Sequence, residues 1–166
     1  MSAKDLFLRL FTSTENLVLL VSHAYETNGL SMPMHRILKF ASDREVSVSD
    51  IAHHSGVSRQ NIQTMVNRMK TEQLLVLKEN PADKRAPLLE ITAAGKGLAA
   101  KMDGELAKIA RRLVGNMDAD EIESFLESLN GALGKEVEHA GRADDQGTSH
   151  LRRLRKRLEY TEEDQC

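Results

Sequence analysis

Hydrophobic positions fall into long helical stripes at the two ends of the chain and into shorter, mixed patterns between them. Residues 4–26 carry Leu6, Phe7, Leu10, Phe11, Leu17, Val18, Leu20 and Val21 at helical spacing, with one strongly apolar flank, and Gly29 closes the stretch. A second helix is predicted from the capping residue Ser31, with Pro33 in its first turn, where a missing N–H costs little. Its apolar positions are Met34, Ile37, Leu38 and Ala41. Ser47 and Asp50 have the spacing of a capping box, so a short third helix starts there, with Ile51 and Ala52 facing inward. Gly56 supplies a turn into which Val57 packs, and Ser58 caps a fourth helix. Ile62, Met65, Val66 and Met69 recur on that helix as one buried stripe.

Two paired strands are predicted next, Leu74–Lys78 and Leu88–Ile91, around the charged turn Asn80-Pro81-Ala82-Asp83-Lys84-Arg85. Pro87 cannot donate to a ladder and belongs at an edge or a strand start. Thr92 caps a long fifth helix reaching Asn116, with Leu98, Met102, Leu106, Ile109 and Leu113 as its inward stripe. Asp118 and Glu121 repeat the capping-box pattern before a final main helix bearing Ile122, Phe125, Leu126, Leu129, Leu133 and Val137. Gly131 and Gly134 either weaken that helix locally or let a neighbouring helix approach closely.

Helix, tight turn, helix and charged two-stranded ribbon, in that order over residues 47–91, are the plan of a winged helix-turn-helix. The fold class read from the sequence is mainly α with a small antiparallel β wing. Apolar helices at both chain ends exceed what a DNA-reading module needs, and a two-fold dimer interface built from both ends is the economical way to bury them. The division expected is an N-terminal dimerisation helix at 1–30, a winged module at 31–92, C-terminal dimerisation helices at 93–140 and a charged extension at 141–166.

Composition narrows the partners. The 166 residues carry a net charge of −2. Between residues 46 and 100 seven bases face five acids, a local charge of +2. Local field matters more than the total for DNA binding, and so mild a charge calls for more than one copy of the module. No apolar run approaches the ~20 residues of a membrane span. The lone cysteine, Cys166, cannot form an internal disulfide, and a cytoplasmic protein is the simplest reading. No phosphate-cradling glycine loop or nucleophile elbow points to an enzyme. His53-His54 has no short-spaced carboxylate or cysteine to suggest a metal, and no cofactor is implied.

At this point the sequence resembles the MarR family of bacterial winged-helix regulators, over about residues 6–139. The strongest stretch is VSVSDIAHHSGVSRQNIQTMVNRMKTEQLL, followed by NPADKRAPLLEITAAGK. The family's acid-any-arginine wing signature matches Asp83-Lys84-Arg85, and its wing closure matches Ile91-Thr92 with Gly95. The resemblance implies a triangular homodimer whose two modules straddle a pseudo-palindromic operator in double-stranded DNA. It also implies repression, in many members relieved by a small aromatic compound.

The helix Ser58–Lys70 is the candidate recognition helix, sized for the major groove. Arg59 suits phosphate or guanine, Gln60, Asn61 and Gln63 suit adenine edges, Thr64 suits a thymine methyl, and Arg68 suits phosphate. Ser58 belongs to the same surface. Arg85 is the candidate minor-groove contact and Lys84 its electrostatic neighbour, whereas Asp83 is expected to hold Arg85 or the turn. Ser47, Ser49 and Ser55 can donate to phosphate, with capping the leading role for Ser47. An effector pocket is expected between the dimer helices and the module, with His23, Tyr25, Met32, His35 and Arg36 as candidate lining. The arginine-rich run at 152–157 is expected to pack through Leu151, Leu154 and Leu158, to touch flanking DNA or a protein, or to be disordered. An activator or anti-silencer on DNA, and a winged helix used only for protein interaction, stay open as alternatives.

Overall fold

The computed structural model describes residues 2–143 and position 154. Its elements run α1 (Ala3–Thr27), α2 (Met32–Asp43), β1 (Val46–Ser47), α3 (Val48–Ser55), α4 (Arg59–Thr71), β2 (Leu75–Lys78), β3 (Leu88–Ile91), α5 (Ala93–Val114) and α6 (Ala119–Ala143). The charged extension, Cys166 included, falls outside the described residues apart from the end of α6 and Leu154.

The helix starts follow the expected chemistry. Ser31, Ser47, Ser58 and Thr92 each accept a backbone N–H three residues on. Ser47 and Asp50 complete a reciprocal box, and Asp118 accepts from the amides of Asp120 and Glu121 at the head of α6. Gly56 ends α3 with φ at 63°, a left-handed turn that favours glycine. Helix α4 ends in a Schellman arrangement, with Leu74 N–H donating to the Met69 carbonyl and Gln73 N–H to that of Lys70. Gln73 takes the left-handed position at φ 57°, which nothing in its side chain favours.

The ribbon has three strands where two were expected. Val46–Ser47 pairs antiparallel with Leu88–Leu89, so the order is β1-β3-β2 and β3 is central. Pro87 sits immediately before β3, at a strand start. The sheet closes the module's core, which gathers Met34, Ile37 and Leu38 of α2, Ile51 of α3, Ile62, Val66 and Met69 of α4, Leu75 and Leu89 of the sheet, and Met102 of α5.

One packing expectation is corrected. Leu113 is 46% exposed, so the inward stripe of α5 ends before it. On α6 only Val137 is buried, while Phe125 and Leu126 stand half-exposed. A methyl on Gly131 or Gly134 would meet no atom within 4 Å, so neither admits a close neighbour within the chain. Among the described residues nothing covers these side chains; α1, the C-terminal part of α5 and the start of α6 enclose an open apolar groove of about 790 Å³. Leu17, Leu20, Leu113, Met117, Phe125 and Leu126 line it.

Candidate nucleic-acid interface

The α4 stripe of Ile62, Val66 and Met69 turns the other face of the helix outward. Ser58, Arg59, Gln60, Asn61, Thr64 and Arg68 are exposed there, and Gln63 is half-buried. Their commitments differ. Thr64 donates its hydroxyl to the Gln60 carbonyl at 3.0 Å, which leaves its methyl outermost. Gln63 donates its amide to Asn67 at 3.0 Å along the same face. Arg68 is paired with Glu72 at 2.7 Å, a partner the sequence reading did not give it. Ser58 spends its hydroxyl oxygen as the cap of α4.

The wing turn is held by side chains acting on backbone. Asp83 accepts the main-chain N–H of Arg85 at 2.9 Å, which fixes the turn and leaves the guanidinium unbound to that carboxylate. Asn80, which sequence reasoning passed over, accepts from the amides of Ala82 and Asp83 and donates to the Ala86 carbonyl across the turn. An asparagine beside a proline is an Asx-turn signal that would have found it. Lys84 reaches Glu79 only at 3.9 Å, with both side chains largely exposed, so it is tethered weakly.

Wing and recognition helix converge. Ser47 and Ser49 from the start of α3, Arg59 and Gln63 from α4, and Arg85, Ala86 and Pro87 from the entry to β3 line one crook of about 90 Å³. Ser47 is buried, with its hydroxyl given to Asp50, and Ser55 donates to the Ile51 carbonyl. Of the three serines only Ser49 keeps no such commitment among the described residues. Hydrogen bonds from Ser47 hold the Asp50 carboxyl below its usual range, so the cap stays anionic at the head of α3. Two cationic side chains and an uncommitted hydroxyl around one concavity suit a bound phosphate or base edge.

The wing closes on α5 through Thr92 and Gly95. Thr92 donates its hydroxyl to the Gln73 carbonyl at 2.7 Å while accepting the Gly95 N–H. A Cβ on Gly95 would collide with the Leu74 carbonyl oxygen, so the close approach of α5 to the strand requires glycine there.

The five candidate pocket residues separate. Tyr25 and His35 are buried against each other, the phenol oxygen 2.9 Å from His35 Nδ1. His23, Met32 and Arg36 stay on the surface. Asp103, absent from the sequence reading, completes the buried pair, its Oδ1 lying 3.1 Å from His35 Nε2. Among the described residues no group of three or more His, Cys, Asp or Glu side chains is arranged to hold a metal ion. No helix there is long and apolar enough to cross a membrane.

The fold is that of a winged helix-turn-helix, and the comparisons with known proteins agree. The family model described as the MarR family matches residues 28–86. The chain is 28% identical to the uncharacterized protein Rv2011c of Mycobacterium tuberculosis over 101 residues, 61% of this chain and 71% of that protein. Its fold matches Staphylococcus aureus MarR in complex with salicylate and kanamycin at a TM-score of 0.68 and 15% identity, covering 82% of this chain and 93% of that one. It also matches CouR from Rhodococcus jostii RHA1 bound to p-coumaroyl-CoA at 0.65 and 19% identity, covering 80% and 94%. The match to the MarR family model spans α2, α3, α4 and the turn of the wing, and the solved structures share the fold.

Proposed function

We propose that this chain acts as a homodimeric, sequence-specific DNA-binding repressor in the cytoplasm, released from its operator by a small aromatic effector. The observation that carries the DNA reading is the crook where Arg59 and Gln63 of α4 meet Arg85 of the wing beside Ser49. A helix in the major groove and a wing arginine over the adjacent minor groove use such a junction as their pivot on the phosphate backbone. Within this reading Arg59, Gln60, Asn61 and Gln63 meet base edges or phosphate, and the Thr64 methyl meets thymine. Arg85 enters the minor groove, Lys84 adds charge nearby, and Ser58 acts first as the helix cap. Arg68 reaches phosphate only by leaving Glu72.

Dimerisation is supported by the apolar groove between α1, α5 and α6, whose lining a second copy would cover. Two modules must then stand about one DNA turn apart, roughly 34–36 Å. The effector part rests on two structural neighbours that hold salicylate and p-coumaroyl-CoA. Its proposed position is the joint of α1 and α2 with α5, where Tyr25 and His35 meet and where His23, Met32 and Arg36 reach the surface. A compound there shifts DNA affinity only by binding the two spacings unequally.

Selection of bound duplexes from a random pool at physiological salt tests the reading. An inverted repeat with half-sites one turn apart is expected. Binding without an enriched motif would leave a nonspecific DNA binder, and no binding with or without aromatic acids would leave a protein-interaction module. On the selected operator, Arg85→Ala is expected to cost about 1–3 kcal/mol of affinity, read by titration; unchanged affinity would remove the wing from the interface.

A further inference from the structure

The joint between the terminal helices and the winged module contains a buried titratable group that DNA contact does not use. His35 of α2 is 5% exposed, and its ring touches all three elements of the joint. Its Nδ1 lies 2.9 Å from the Tyr25 hydroxyl at the end of α1, and its Nε2 lies 3.1 Å from Asp103 Oδ1 on α5. Nε2 is buried, and the Ala99 main chain on α5 faces the ring beside Asp103. Lys39, one turn along α2, takes the other Asp103 oxygen at 3.0 Å.

These contacts fix the neutral tautomer. A bare Nε2 would turn its lone pair on the Asp103 carboxylate, so the proton sits on Nε2 and the Tyr25 hydroxyl donates to Nδ1. A second proton would go to Nδ1. The phenol oxygen would then accept from Nδ1, its own O–H would be left without an acceptor in a site where both rings are buried, and a cation would stand in apolar surroundings. Asp103 favours that cation, but Lys39 already draws on the same carboxylate, and the Arg36 charge also acts on the phenol from α2. Burial outweighs the carboxylate and holds the imidazole below its ordinary value of 6.5.

We propose that His35 is a proton-operated latch: neutral, it holds α2 against Tyr25 of α1 and Asp103 of α5, and doubly protonated in mild acid it loosens, parting α2 from the end of α1. The sign follows from linkage. A histidine whose folded value is depressed contributes stability that is complete above its unfolded value, 6.5, and that is lost as pH falls below it. Released His35 is solvated and charged, so acid favours the loosened joint; on the dimer reading proposed above, a change there alters the spacing of the two modules.

The test is amide exchange in the full chain at pH 7.5 and 5.5, expressed as protection factors corrected for intrinsic rate, beside 13C titration of the histidine ring carbons. Neither readout needs DNA, so failure here is separable from failure of the repressor reading. Expected in the wild type is a several-fold loss of protection in α2 and in the first half of α5 at pH 5.5, up to the roughly tenfold ceiling that one group with an unfolded value of 6.5 sets between these pH values. His35→Gln places an acceptor and a donor in the same ring positions without a titratable charge, and is expected to keep its protection at both pH values. Tyr25→Phe removes the hydroxyl that occupies Nδ1 and is expected to move the His35 midpoint upward; it serves if the glutamine variant does not fold. Parallel loss in wild type and His35→Gln, unchanged protection in the wild type, or a His35 ring midpoint at or above 6.5 would overturn the proposal.

Discussion

Met102 and Leu113 lie about three turns apart on the same face of α5, yet Met102 is fully buried and Leu113 is 46% exposed. The helix passes from one regime into another. Its first half closes the winged module, where Met34, Ile37, Leu38, Val66 and Met69 are all 1% exposed or less. Its second half joins α1 and α6, where Phe7 is 64% exposed, Leu19 68%, Met117 57% and Phe125 51%. In α1, 25 residues long, only Tyr25 is buried. The module closes its core among the described residues, whereas the terminal helices leave apolar faces exposed there. Exposed apolar surface of that extent supports the proposed dimer.

The largest effect expected is on the unfinished half. Phe125→Asp combined with Leu126→Asp puts two carboxylates in the groove wall that a second copy would cover. Sedimentation should show a monomer whose module still melts cooperatively. Operator affinity should fall by about 10²–10⁴-fold, because the second module no longer binds as an intramolecular event. A dimer that survives both charges would place the interface elsewhere.

The converse change breaks the module and spares the arm. Gly95→Ala drives a methyl into the Leu74 carbonyl and the Ile91 side chain where α5 meets the sheet. The expected cost is about 1–3 kcal/mol in thermal or urea unfolding, with the dimer dissociation constant unchanged. Equal loss in both measurements would show that module and arm fold as one unit.

Gly95 also shows how far the sequence could be read. The wing-closing glycine stood out by resemblance, but its reason, a backbone carbonyl of another element, is a tertiary fact. The caps at Ser31, Ser47, Ser58 and Thr92 and the α4 stripe were legible because they rest on local spacing. β1 was not, since two residues carry no periodicity and Val46-Ser47 becomes a strand only by pairing with β3. Gln73 hid its left-handed turn because glutamine has no preference for one. The inward stripe of α5 was drawn too far because spacing alone cannot say whether the surface opposite Leu113 belongs to the same chain. At the interface, residue types on α4 and the wing were readable, whereas Glu72 on Arg68, Asn80 across the turn and Asp103 beside His35 depend on contacts that spacing does not disclose.

The smallest expected effect concerns the DNA face alone. The Arg68–Glu72 pair is exposed, its side chains 58% and 37% accessible, so it contributes little to stability. Glu72→Gln should change unfolding free energy by no more than about 0.5 kcal/mol. It removes the carboxylate that competes with phosphate for Arg68. If Arg68 lies along the DNA backbone, each module gains up to one effective phosphate contact, and the slope of log affinity against log salt should steepen by about one per module. An unchanged slope with unchanged stability would keep Arg68 off the DNA. The contact surface would then be confined to the first two turns of α4 and the wing, on the side where Arg59, Gln63 and Arg85 share one crook.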